Sequence, residues 1–176
     1  RGSEAMTPLL LRGARLWPQP ADQHSPTADV EIRDGHIAAI GPALTPAADT
    51  TVVDAAGGLL MPGLVDGHAH LDKTLWGTPW HSHQAGPTLF DRIRNERRVL
   101  RELDLSPQDQ SEALVRHMVT RGTTHVRTHV DVAPDIGLRN LYGVLAMRAA
   151  QRALIDVQTV AFPQQGVMRE AGTLDL

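Results

Sequence analysis

Met61-Pro62-Gly63-Leu64-Val65-Asp66-Gly67-His68-Ala69-His70-Leu71-Asp72-Lys73 is the stretch on which the fold turns. After the Pro-Gly break, Leu64 to His70 reads as a strand. Period two places Leu64, Asp66, His68 and His70 on one face and Val65, Gly67 and Ala69 on the other. Two histidines spaced i, i+2 on a strand project side by side and suit one metal ion. Taken alone, the same pair also suits two imidazoles satisfied inside a core, and both readings stand at this point.

Downstream, strands alternate with longer helical patterns, the mark of βα units around a parallel sheet. Thr88 to about Arg101 reads as a helix with Leu89, Phe90, Ile93, Arg97 and Leu100 on one face. Ser106-Pro107 then opens a second helix, with Leu114, Val115, Met118 and Val119 as its apolar stripe and Gly122 as its stop. A second strand is expected from Thr124 to Val132, a third helix from Leu138 to Leu154, and a third strand from Asp156 to Phe162.

Upstream, Val30 to Arg33 and His36 to Ile40 flank Asp34-Gly35, a strong hairpin signal. Residues 6–60 therefore read as part of a small β module and 61–176 as the start of an α/β domain. The Pro-rich stretch Pro18 to Thr27 reads as a surface loop, and Arg1-Gly2-Ser3-Glu4-Ala5 before Met6 as a cloning scar. Three βα strands are too few to close an eight-stranded barrel, which typically needs about 250 residues. The chain is expected to be one stretch of a longer protein.

The 176 residues are 41% apolar with a formal charge of −3, a composition that supports a folded core. Charges of both signs are spread along the chain, so no basic stripe marks a nucleic-acid partner. Cysteine is absent, which excludes thiolate ligands and a cysteine nucleophile and leaves nitrogen and oxygen to hold any metal. It also closes the route to the zinc deaminases built on Cys-x-x-Cys. The apolar runs are far shorter than the ~20 residues of a membrane span. With no signal peptide legible either, a cytoplasmic protein is expected.

The full string from Met61 to Lys73, with Val53-Asp54-Ala55-Ala56-Gly57 before it, resembles the first-strand motif of the amidohydrolase superfamily. Thr88-Leu89-Phe90, His125 to Val132 and Val160-Ala161-Phe162-Pro163-Gln164-Gln165-Gly166 are similar to the cytosine deaminase subgroup. That resemblance implies the N-terminal part of a metal-dependent (β/α)8 barrel preceded by a small β-sandwich module. It implies one divalent ion, zinc or iron, with His68 and His70 among its ligands. Gln164 would hold the ring amide of a small cyclic substrate and Leu89 would line its pocket. Gln164 also suits a loop residue satisfying local backbone, a reading that stays open.

On the second strand His125, Arg127, His129 and Asp131 share a face, and a polar inward face must be hydrogen-bonded or charge-paired. His129 or Arg127 is expected to orient Asp66, Asp131 or a ligand, as supports for the metal-binding residues rather than as reacting groups. Lys73 either reaches a substrate carbonyl or pairs with Asp72 or Asp91. His81 and His83 lie in a loop and read as lid or surface residues. His36 and His117 occupy solvated positions.

The implied reaction is hydrolytic deamination of cytosine or a related cyclic amidine, in which hydroxide formed on the metal attacks the ring carbon bearing the amine. Hydrolysis of an N-alkylaminotriazine or of an isocytosine-like ring is the sister reading, since lysine at position 73 resembles relatives acting on such rings. The family's other ligands and acid/base groups lie on the fifth, sixth and eighth strands, beyond Leu176. Two histidines alone do not complete a site that usually takes at least three protein ligands, so this stretch by itself is expected to be inactive. The complete enzyme is expected to be a homo-oligomer. A noncatalytic fragment that binds a partner through its open sheet edge is the reading from a different class.

Overall fold

The computed structural model describes residues 6–17 and 26–176. The expected scar at Arg1 to Ala5, and the Pro18 to Ser25 part of the expected loop, lie outside the described residues. The chain divides into two compact units at Pro62–Gly63.

The first unit is a sheet of β1 (Leu9–Leu16), β2 (Ala28–Arg33), β3 (His36–Gly41), β4 (Thr51–Asp54) and β5 (Leu59–Leu60). The order is β3-β2-β1-β4, with β5 also paired to β1. Arg33 pairs with His36 across the Asp34-Gly35 turn, and both turn residues have positive φ, as a two-residue hairpin requires. β4 and β5 run parallel to β1 at successive positions along it. At Gly13, with φ of +68°, β1 slips register against β2. The Asp29 carboxylate bridges that slip, accepting from the Gly13 N–H at 2.9 Å and the Leu44 N–H at 3.0 Å. Both donors, with the Arg12 charge nearby, hold its carboxyl below the ordinary range despite partial desolvation.

The second unit carries β6 (Leu64–Ala69), a 3₁₀ turn (Leu71–Lys73), α1 (Leu89–Leu103), α2 (Pro107–Thr120), β7 (Thr123–Asp131), α3 (Arg139–Gln151) and β8 (Asp156–Phe162). Its three strands are parallel in the order β6-β7-β8. The unit is mixed α/β. Helix starts follow local chemistry. Thr88 and Asp91 form a reciprocal capping box at α1, and Ser106 caps α2 with Pro107 in its first turn.

Val126, Val130 and Val157 on one sheet face pack with Val115 of α2, Val144 and Met147 of α3, Leu71 and Ile155 into the buried core. Fully burying such side chains contributes roughly 1.5–3 kcal/mol each. A Cβ on Gly143 of α3 would lie 2.8 Å from the Pro107 Cβ, so the small residue lets α3 approach the start of α2.

The β6 faces differ from strict period two. Val65 pairs with His125 and Asp66 with Val126, but Ala69 pairs with Thr128, so three steps on β6 match two on β7. Paired residues on parallel strands share a side. Asp66 therefore falls on the Val126 side and Val65 on the His125 side, while Ala69 still packs against the core. The expectation that Asp66 shares a face with both histidines is corrected by this irregularity within Asp66–Ala69. A register shift of one residue exchanges the two faces of a strand.

Candidate functional site

The carboxyl ends of β6, β7 and β8 bring His68, His70, His129 and Phe162 together. The His68 and His70 rings meet edge-on with centroids 5.4 Å apart, and the His68 and His129 rings stack at 4.3 Å. Phe162 packs at 5.7 Å from the His70 ring and 6.0 Å from that of His129.

His70 Nδ1 lies 2.7 Å from the His129 carbonyl oxygen. A carbonyl only accepts, so Nδ1 carries the proton and the lone pair of His70 sits on Nε2. That is the tautomer a metal-binding imidazole needs, fixed by a hydrogen bond on its other nitrogen. Burial, with His68, His70 and the Arg127 charge adding to it, pushes the His129 imidazole below its ordinary value. The donor set fits half of a zinc or iron site. Among the described residues no cluster of three or more His, Asp or Glu side chains converges to hold an ion.

Beside the histidines a polar network joins the loop after β8 to α1. The Lys73 ammonium, with its side chain only 6% exposed, donates to Glu96 Oε1 at 2.8 Å and to Gln164 Oε1 at 2.5 Å. Lys73 thus pairs with neither Asp72 nor Asp91, the two acids expected from sequence. Asp91 is occupied at the α1 cap and by Arg94. Asp72 turns the other way, accepting from the Asp131 N–H and from Asn140 Nδ2, both at 3.0 Å. Burial pushes the Asp72 carboxyl up, against the pull of the Asp131 amide, Lys73 and Asn140.

Asp131 is buried at the end of β7. Its carboxylate accepts from Arg97 Nη2 at 3.3 Å and from the Gln164 N–H at 3.4 Å. Arg97, itself 7% exposed, also donates to Asp135 at 2.5 Å. With its amide oxygen turned inward, Gln165 accepts from the same guanidinium. One arginine on α1 thereby ties the end of β7 to the segment carrying Gln164.

Of the expected supports, His129 meets His70 through its main-chain carbonyl, while Asp66 and Arg127 take other partners. Asp66 accepts from the His68 N–H at 3.0 Å, and Arg127 donates to Gln158, its neighbour across β7 and β8, at 2.7 Å. Neither Arg127 nor His129 orients Asp66 or Asp131; Arg97 holds Asp131. The signal for Arg97 is present in the sequence, an arginine on the otherwise apolar face of α1, but its partners lie far along the chain. Leu89 is 66% exposed and lines a concavity with Phe90, Ile93 and Gln164. His117 lies tilted against the Trp76 ring at 4.3 Å, and His81 and His83 line a hollow with Lys73 and Glu96.

Residues 51–175 match the amidohydrolase family. The chain belongs to that family. Members of this amidohydrolase family typically bind a divalent metal, and relatives of this chain include hydrolases and deaminases acting on carbon–nitrogen bonds. The crystal structure of N-isopropylammelide isopropylaminohydrolase from Burkholderia multivorans superposes with a TM-score of 0.83 at 42% identity, covering 96% of this chain and 40% of that one. The 5-methylcytosine deaminase of Klebsiella pneumoniae bound to 5-fluorocytosine gives 0.71 at 30% identity, covering 96% and 39%. The protein YahJ of Escherichia coli (strain K12) is 40% identical over 142 residues, 79% of this chain and 31% of its own length. This amidohydrolase chain thus spans well under half the length of the relatives it matches. No helix among the described residues is long and apolar enough to cross a membrane.

Proposed function

We propose that β6, β7 and β8 are the first three strands of a (β/α)8 barrel, in an enzyme that hydrolytically removes an exocyclic amine from a cyclic amidine. The observation that carries this is the His70 Nδ1 contact with the His129 carbonyl, which leaves Nε2 unprotonated beside His68. His68 and His70 would hold one zinc or iron ion, together with ligands from later strands. When bound, such an ion lowers the pKa of water so that hydroxide is available near neutral pH.

The chain's own residues bind and orient the ring. Gln164 lies two residues beyond Phe162, which packs on both His70 and His129, so its carboxamide would sit at the same end of the sheet as the imidazoles. In the reaction a water oxygen bonds to the ring carbon and the carbon–nitrogen bond breaks. One water proton stays on the ring and the other leaves on the amine.

Two substrate classes fit, cytosine and an N-alkylaminotriazine. The Lys73–Gln164 contact favours the second. It turns a carboxamide oxygen toward an ammonium and leaves N–H donors for an acceptor-rich, acidic ring. The complete polypeptide, assayed on cytosine, isocytosine and N-isopropylammelide, is expected to release amine fastest from the last. Release of neither ammonia nor alkylamine from any of the three would sink the proposal.

A further inference from the structure

We infer that Glu96 is a positioning residue for substrate specificity, acting through Lys73 on Gln164; this deepens the reading of Gln164 as a ring-binding residue and rests on it. Glu96 lies on α1. Among the described residues its ion pair is with Lys73 alone. A lysine ammonium has three N–H donors on a flexible stem and no preferred direction of its own. Here one donor goes to Glu96 and one to Gln164, from a side chain that is almost wholly buried. The two contacts fix where the remaining N–H points.

They also set the charge. A buried ammonium with no anion near it costs far more than a paired one. The Glu96 carboxylate offsets that cost, so Lys73 works as an aimed donor instead of an uncompensated cation. The Gln164 amide is oriented in turn, because an ammonium beside it accepts no hydrogen bond and selects the oxygen. The Gln164 NH2 and the third Lys73 N–H then form a donor-only edge. The ligand chemistry this recognises is a ring edge with adjacent acceptors, such as a carbonyl next to an unprotonated or anionic ring nitrogen. An edge that alternates donor and acceptor is matched less well. No oligomeric partner or further metal is needed for this device, since all its members are in one chain.

The test is a double-mutant cycle in the complete enzyme. Glu96→Ala is expected to raise KM for N-isopropylammelide roughly tenfold or more, the size of a lost charge-assisted hydrogen bond, with a much smaller change in kcat. Bound metal, measured on the same samples by mass spectrometry, is expected to stay at the wild-type level. In a Lys73→Met background the same substitution is expected to leave KM unchanged, because its route to the substrate is gone. Equal effects of Glu96→Ala in both backgrounds, or none in the wild type, overturn the inference. A crystal structure of Glu96→Ala reads the contact without turnover: Lys73 Nζ is expected outside hydrogen-bond reach of Gln164 Oε1, and an unmoved ammonium overturns the proposal. Wild-type enzyme that releases no amine from any ring, with the Lys73 shift seen in that crystal, defeats the assigned function while leaving the positioning role intact.

Discussion

Arg97 and Asp131 face each other at 3.3 Å with both side chains buried, one on α1 and the other at the end of β7. The pair is close to neutral in worth when intact but costly to break, since removing one partner leaves a buried charge. Arg97→Ala is expected to destabilise the protein by about 3–5 kcal/mol. Urea unfolding of the complete polypeptide checks this, and an unchanged midpoint would refute the role given to Arg97.

The metal assignment is tested by composition. Wild-type protein is expected to carry close to stoichiometric zinc or iron, with a large loss in His68→Ala and in His70→Ala. Equal metal in all three proteins removes both residues from the ligand set.

Asp29 gives the first unit a defined response to acid. Its folded carboxyl titrates below the ordinary value of 3.8, because the Gly13 and Leu44 amides donate to the charged form. The stabilisation is therefore complete above the unfolded value and is lost as pH falls through the lower folded one. Asp29→Ala is expected to abolish that acid step and to speed amide exchange at Gly13 and Leu44. Identical exchange in the two proteins across the acid range would contradict it.

Gly143→Ala places a methyl group where the Pro107 Cβ lies at 2.8 Å and the Gln108 nitrogen at 3.0 Å. The cost is expected at about 1–3 kcal/mol, the usual penalty of overpacking, because backbone must yield and not a flexible side-chain tip. A thermal midpoint equal to the wild type would show that α2 and α3 can part freely.

Much of the architecture was legible because it is decided locally. Asp34-Gly35 predicts its hairpin, Thr88 and Ser106-Pro107 predict their helix starts, and β8 begins and ends where expected. The positions of His68 and His70 near the carboxyl end of their strand also follow from the sequence, whereas their gathering with His129 depends on the register of β6 against β7. The Lys73 partners are not legible, since Glu96 and Gln164 lie 23 and 91 residues away while Asp72 and Asp91 stand nearer along the chain. Asp66 was misplaced for a different reason. Period two assumes an unbroken ladder, and the shift within Asp66–Ala69 leaves no mark that a Gly67 between polar residues would uniquely signal.

The proton on His70 is held by main chain and not by a side chain. Every amino acid brings the same peptide oxygen, so replacing His129 with another residue compatible with the strand leaves the orientation of its neighbour's lone pair untouched. His70 thus keeps its tautomer whatever side chain stands at position 129, whereas the ring stacked on His68 goes with His129.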